Sequence, residues 1–271
     1  MAPPLLIWLR QVTHIGLNLI FPPLCSGCGR LGENFCDVCA QAVEPVPHPQ
    51  CAHCGRPQPV LTAVCAHCRR HPTDPLRLTR SAALYTSPLR QAIHALKYEA
   101  QPELAPLLAR YLIAAYANAP WSNLAQDITA VVPVPLHPQR MEERGYNQSE
   151  LLAESFCAVV QLPLQVTWLE RIRETRQQVG LGPGERYANV AGAFCATADV
   201  AGQQLLLIDD VYTTGATLRA CAAAALAAGA TAVYGLTLAQ PLRQAIPPLP
   251  DVISEAPPIA SEELPWWEGE G

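Results

Sequence analysis

Two adjacent carboxylates, Asp209 and Asp210, end an apolar run and open a hydroxyl- and glycine-rich segment, within LLLIDDVYTTGATL. Leu205 to Ile208 predicts a buried parallel strand, and Ala216 to Ala228 predicts a helix stopped by Gly229, where left-handed backbone is favoured. The stretch between them therefore opens a helix N-terminus, whose N–H groups and positive end attract an anion. Thr213, Thr214 and Thr217 add hydroxyl donors, Gly215 lets the backbone approach closely, and Ala216 begins the helix. A phosphate monoester fits this loop. It is not a P-loop, because no Gly-Lys-Ser/Thr follows the glycine, and it lacks the three glycines of the dinucleotide fingerprint. A carboxylate pair would repel a second phosphate placed above it and suits hydroxyl groups instead. The simpler alternative, an acid that only caps the next helix, needs one carboxylate and leaves the TTGAT run unexplained.

This combination resembles the phosphoribosyl pyrophosphate (PRPP) motif of type I phosphoribosyltransferases. The resemblance implies that Asp209 and Asp210 contact the ribose 2′- and 3′-hydroxyls while residues 213–217 cradle the 5′-phosphate. Two further segments agree with it. Ile128 to Val134 predicts another parallel strand, running through Pro135-Leu136-His137-Pro138 into RMEERGYNQSELLAES. Arg140 and Arg144 precede Gly145 there, and Asn147 or Ser149 starts the following helix. A guanidinium pair beside a helix start suits pyrophosphate, which arginine grips in a two-pronged way. Arg171 to Asn189 is long, polar and rich in arginine and glycine, the character of a lid or a disordered connection. In the resembled enzymes a mobile loop here closes over PRPP, and Arg173 is expected with the acid pair at the catalytic centre.

The wording of these segments, RGYNQSELLAE and RETRQQVGLGPGERYANVAGAF, is similar to that of the ComF/GntX family, bacterial proteins associated with DNA uptake and competence. The similarity covers nearly the whole chain apart from its tail and implies a cysteine-rich N-terminal module. That module is present. Of eleven cysteines, eight form four Cys-x-x-Cys pairs: Cys25/Cys28, Cys36/Cys39, Cys51/Cys54 and Cys65/Cys68. Two such knuckles complete the tetrahedral sulfur shell that zinc prefers, so four imply two structural Zn²⁺ ions. Sequential pairing groups Cys25, Cys28, Cys36 and Cys39 apart from Cys51, Cys54, Cys65 and Cys68; interleaved pairing remains open. His53 and His67 are expected beside the metal rather than on it. Disulfides are the competing explanation, disfavoured because no secretory leader is evident and such repeats in a reducing compartment bind metal. Cys157, Cys195 and Cys221 are expected to pack in the core.

Half of the 271 residues are hydrophobic, enough for a core of ordinary size, and the expectation is a cytoplasmic protein of two modules. Residues 1–24 predict an amphipathic helix, too polar to span a bilayer, that packs on the body or makes peripheral membrane contact. Residues 25–80 would be the double zinc ribbon and 81–243 the phosphoribosyltransferase-like domain. Residues 244–271 form a Pro-rich acidic tail expected to be disordered, and its Trp266-Trp267 is either a solvated remnant or a docking peptide. The tail holds six of the 23 acids, leaving 17 acids against 18 basic residues, so the body carries no large basic footprint for DNA. Arg69-Arg70 remain as a local patch for a single strand, with Trp121, Trp168 or Tyr187 as stacking partners. Lys97 is the only lysine, either a chance exception or a lysine-specific role; the resemblance implies that it reaches the pyrophosphate side of the cleft.

The expected fold is α/β: an entering strand at Ser81 to Thr86, helices near Pro88 to Tyr98 and Pro102 to Asn118, then parallel strands near 128–134, 165–170, 204–208 and 231–238. Ligands in such sheets sit beyond the C-terminal strand edges. The expected reaction is transfer of ribose 5-phosphate from Mg²⁺-bound PRPP to an unidentified acceptor, in DNA uptake or use. The alternative is a PRPP- or nucleotide-binding module without turnover, which handles single-stranded DNA through its zinc ribbons and competence or DNA-processing partners.

Overall fold

The computed structural model describes residues 22–60, 63–70, 72–174 and 183–242. The helix expected over residues 1–24 lies outside these except for Pro22 to Leu24, which are not helical, and the acidic tail lies outside them entirely. Among the described residues, no helix is long and apolar enough to cross a membrane.

Two short helices, α1 (Asp37–Gln41) and α2 (Ala66–Arg70), each sit in a cysteine-rich loop. The body follows as β1 (Leu78–Leu84), α3 (Leu89–Tyr98), α4 (Leu104–Tyr116), β2 (Ala130–Pro133), α5 (Pro138–Arg144) and α6 (Gln148–Val160). It continues with β3 (Leu169–Arg171), α7 (Pro183–Val190), β4 (Phe194–Ala196), β5 (Gln204–Val211), α8 (Ala216–Ala227) and β6 (Ala232–Gln240). Four strands form a parallel sheet in the order β1-β6-β5-β2, with β5 opposite β6 in the register Leu206↔Tyr234 and Ile208↔Leu236. Successive side chains of β5 point to opposite faces, so an unbroken apolar run signals a strand covered on both sides. Leu206 and Ile208 pack with Leu108, Leu112, Leu152 and Phe156 of α4 and α6. Leu205 and Leu207 pack with Leu218, Cys221, Ala222 and Ala225 of α8.

Two expectations need correction. The strand predicted over 165–170 does not enter the core sheet. Only Leu164 bridges to Val131, while Leu169–Arg171 pairs antiparallel with Phe194–Ala196 in a separate two-stranded sheet. The physical reason is visible in the residues: Gln165, Val166 and Thr167 are partly or largely exposed and provide no two-sided apolar run. The fourth parallel strand is instead the entering one, which begins at Leu78. Arg171 to Asn189 is likewise not one loop throughout, since Arg171 ends β3 and Pro183–Val190 is helical; residues 175–182 lie outside the described ones.

The cysteine module covers the outer edge of β1. Thr79 N donates to His53 O (2.8 Å), Leu84 N to Glu44 O (2.8 Å), and Arg80 Nη2 to Ala52 O (2.9 Å). From β6, Gln240 Nε2 donates to Gly55 O (3.0 Å). An uncovered edge strand invites pairing with other chains, and the module removes that exposure.

Candidate functional site

The loop and the acid pair stand where the parallel strands β5 and β6 end. β5 carries Asp209 and Asp210, and the chain then turns through residues 212–215 into α8. Gly215 has φ +81°, the left-handed region, and a side chain there would also collide with Arg219 Nη1 and with Tyr212 Cε2, the latter at 2.6 Å. Both conformation and space therefore require glycine. Thr214 is buried and its hydroxyl accepts from Ala216 N (3.2 Å), so it shapes the turn, while Thr213 and Thr217 are partly exposed. A twelve-residue helix starts here and directs its positive end at the loop. Replacing Gly215 by alanine is expected to weaken binding of ribose 5-phosphate by about a hundredfold, about 2.7 kcal/mol, with the zinc content unchanged. Calorimetry of the variant checks this, and undiminished binding would remove residues 213–217 from the site.

The acids are held differently. Asp209 Oδ1 accepts from Ser149 Oγ (3.0 Å) and from Asp210 N (2.9 Å). Burial and the neighbouring Asp210 charge push its carboxyl up to about 7, against the opposing pull of Lys97 and these hydrogen bonds. Asp210 Oδ2 lies 2.6 Å from Lys97 Nζ, with side chains 5% and 19% exposed. Burial pulls the lysine down, but Asp210 and Asp209 outweigh it and hold the ammonium above its ordinary value. The single lysine is thus the counter-ion of the acid pair.

Lys97 also lines a cleft open to solvent, with Tyr98, Ala100, Arg140, Glu143 and Arg144. Arg140 faces Glu143 at 3.6 Å, and Arg144 donates to Gln148 Oε1 with its guanidinium 5.2 Å from the Tyr98 ring centre. Gly145, at φ +81°, ends α5, and Asn147 caps α6 by accepting from Ser149 N (3.0 Å). Tyr146 Oη donates to Leu96 O (2.6 Å), tying this arginine segment to the helix that bears Lys97. Lys97, Arg140 and Arg144 therefore share one cleft, joined through Lys97 to the acids. Arg173 follows β3. Its Nη2 donates to the carbonyls of Asn189 (3.0 Å) and Ala191 (2.7 Å), closing the base of the segment expected as a lid.

Ser149, Arg219 and Asp74 escape a reading by local spacing. Ser149 looks like a helix starter, yet it is fully buried and braces Asp209. Arg219 looks like an ordinary helical arginine, and only the spacing Gly215 to Arg219, one helical turn, hints that it stands under the loop. Trp121 is 1% exposed and stacks inside the core with Tyr116, which removes it as a base-stacking surface. Trp168 is half-buried against the core, and the side chain of Tyr187 lies outside the described residues.

The eight N-terminal cysteines gather sequentially. Cys25, Cys28, Cys36 and Cys39 form one group and Cys51, Cys54, Cys65 and Cys68 the other, with each group's sulfur atoms within 4.8 Å of one another. Sγ separations are 3.7 Å for Cys28–Cys36, 3.8 Å for Cys54–Cys65 and 3.9 Å for Cys51–Cys68. A tetrahedron with Zn–S bonds of about 2.3 Å has edges of about 3.8 Å, whereas a disulfide is about 2.05 Å. Both tetrads are thus consistent with structural zinc. His53 Nδ1 lies 3.6 Å from Cys68 Sγ, beside the cluster.

Residues 16–70 match a double zinc ribbon domain. The chain is similar to the DNA utilization protein YhgH of Salmonella typhimurium, 34% identical over 199 residues, covering 73% of this chain and 87% of that protein. To the competence protein ComFC of Bacillus subtilis it is 30% identical over 213 residues, 76% of this chain and 84% of the relative. Among solved structures it is similar to the glutamine PRPP amidotransferase of B. subtilis, 19% identical with a TM-score of 0.32, over 51% of this chain and about a quarter (26%) of that one. The likeness to these sequence relatives spans about three quarters of this chain and most of each relative, and the chain accordingly belongs to the ComF/YhgH family.

Proposed function

We propose that this chain binds PRPP at residues 209–217 and transfers its ribose 5-phosphate to an acceptor during DNA uptake or the use of imported DNA. The observation that carries the reading is the junction of two unlike subsites at Asp210. On one side stand the carboxylates and a left-handed glycine loop at a helix N-terminus, suited to ribose hydroxyls and a 5′-phosphate. On the other, Lys97, Arg140 and Arg144 surround an open cleft suited to pyrophosphate.

In this reading Asp209 and Asp210 orient the ribose, and residues 213–217 fix the phosphate. Lys97 turns from Asp210 toward the leaving pyrophosphate, where Arg140 and Arg144 balance its charge. Positive charge develops on the ribose as the C1′ bond to pyrophosphate breaks, and the adjacent carboxylates stabilise it. Mg²⁺ brought with PRPP supplies further neutralisation of the leaving group, and the carboxylate pair beside the ribose hydroxyls is compatible with it. The DNA context comes from the relatives, whose names refer to DNA utilization and competence.

One observation favours a second reading, binding without turnover. Arg173 donates to the carbonyls of Asn189 and Ala191, and the cysteine module lies along the edge of β1, its backbone carbonyls bonded to β1 and β6. Single-stranded DNA would then meet the ribbons, where Arg69 and Arg70 are exposed. The readings separate on release of pyrophosphate from PRPP by the zinc-loaded protein. Transfer predicts release that rises on adding an acceptor from a panel of nucleobases, nucleotides and DNA ends. Calorimetric binding with no release under any of these conditions would replace the transferase reading with the binding one.

A further inference from the structure

The segment joining the second cysteine tetrad to β1 makes a specific connection to the phosphate loop. Asp74, in that segment, accepts from Leu76 N through Oδ1 (3.0 Å) and lies 2.6 Å from Arg219 Nε through Oδ2. The two side chains are 3% and 11% exposed, so the pair is largely shielded from water. Arg219 stands on the first turn of α8. Its Nη1 donates to Thr214 O (2.7 Å) and its Nη2 to the Tyr212 hydroxyl (3.1 Å). One guanidinium thus grips a carboxylate of the connecting segment, a carbonyl inside the loop and a hydroxyl at the start of the loop. Gly215 rests on that guanidinium and on the Tyr212 ring, the two groups a side chain at 215 would strike.

The other end of the connection is equally anchored. The second ribbon is bonded to β1 through His53 O and Ala52 O and to β6 through Gly55 O. β6 lies beside β5, whose last residue precedes Tyr212. A planar guanidinium with a charged partner is directional and rigid, and removing the carboxylate leaves a buried cation to rearrange. Movement of Arg219 would shift the Thr214 carbonyl and the floor under Gly215 together.

We propose that Asp74, Arg219 and Tyr212 form a brace that sets the shape of the 213–217 loop and makes its grip on phosphate depend on the second ribbon. The inference rests on the PRPP reading of that loop. Its three members touch no substrate and act by positioning the residues that do.

The test uses full-length zinc-loaded protein and two probes, ribose 5-phosphate and inorganic pyrophosphate with Mg²⁺, each titrated by calorimetry. Asp74→Asn is expected to weaken ribose 5-phosphate binding by about tenfold while pyrophosphate binding changes by less than about twofold and two zinc ions are retained. Tyr212→Phe removes one hydroxyl and keeps the ring, and should act in the same direction by about threefold. It decides the matter if Asp74→Asn does not fold. Cys65→Ser, which empties the second ribbon, should also weaken ribose 5-phosphate binding, but much less so when Asp74→Asn is already present, because both act through one route. Unchanged ribose 5-phosphate binding in Tyr212→Phe, or equal losses for both probes, overturns the brace. Additive losses for Cys65→Ser and Asp74→Asn overturn its link to the ribbon. If Asp209→Asn/Asp210→Asn also leaves ribose 5-phosphate binding intact, the PRPP reading of the loop has failed rather than the brace.

Discussion

Replacing Cys65 by serine is expected to lower the zinc content from about two ions per chain to about one and to loosen the ribbon on the edge of β1. Apparent zinc affinities in small cysteine sites correspond to about 10–16 kcal/mol, so this is the largest single effect a substitution should produce here. The second tetrad is buried at all four cysteines, and it holds backbone groups that cover β1, including the His53 carbonyl bonded to Thr79 N. Thermal stability should fall with the metal. Cys36→Ser should empty the other tetrad alone, because the sulfur atoms group by sequential knuckles. Metal analysis of both variants checks this. A zinc count that stays near two would remove Cys36 and Cys65 from the ligand sets, and loss of both ions from either change would show that the two sites fold together.

The acid pair should respond asymmetrically. Asp210→Asn deprives Lys97 of its partner 2.6 Å away, and breaking one side of a buried pair costs about 3–5 kcal/mol. Lys97 is 19% exposed and has Asp209 nearby, so the loss should sit at about 3 kcal/mol or below. Asp209→Asn keeps an oxygen for Ser149 Oγ and Asp210 N and should cost little stability. The pH dependence follows from the direction of the Asp209 shift. Its folded carboxyl, raised to about 7 by burial and by Asp210, holds a proton more tightly than the unfolded one at its ordinary value of 3.8. That favours the folded state at low pH, and the advantage is lost as pH climbs through this window. Asp209→Asn should therefore flatten the decline in melting temperature over that range. An undiminished decline in the variant would assign the titration to another group. Both substitutions should weaken PRPP binding by about tenfold or more, about 1.4 kcal/mol.

Features that depend on neighbours in sequence are legible in the residues themselves. The apolar run ahead of Asp209, the glycine at 215 and the end of α8 near Gly229 follow from backbone preferences and periodicity. The cysteine ligand sets follow from knuckle chemistry, although only three-dimensional grouping distinguishes sequential from interleaved pairing. Contacts between distant segments are not legible in this way. Nothing in HALKYEA says that Lys97 meets Asp210, and nothing near Asp74 points to Arg219. The misplaced strand at 165–170 has the same origin. Its short apolar stretches resemble a core strand locally, but membership of the sheet depends on whether both faces are covered, and here they are not. Arg173 is a further case: its place in the chain is legible, while two partners of its guanidinium, the carbonyls of Asn189 and Ala191, are set by the fold.

The most direct measurement of the central claim is calorimetric titration of zinc-loaded, full-length protein with PRPP in the presence of Mg²⁺, beside the Asp209→Asn/Asp210→Asn variant carrying its full zinc content. The account predicts one PRPP per chain for the unaltered protein and an affinity weakened by about tenfold or more in the variant. Absence of PRPP binding by the unaltered protein, or equal affinity in the two, would contradict it.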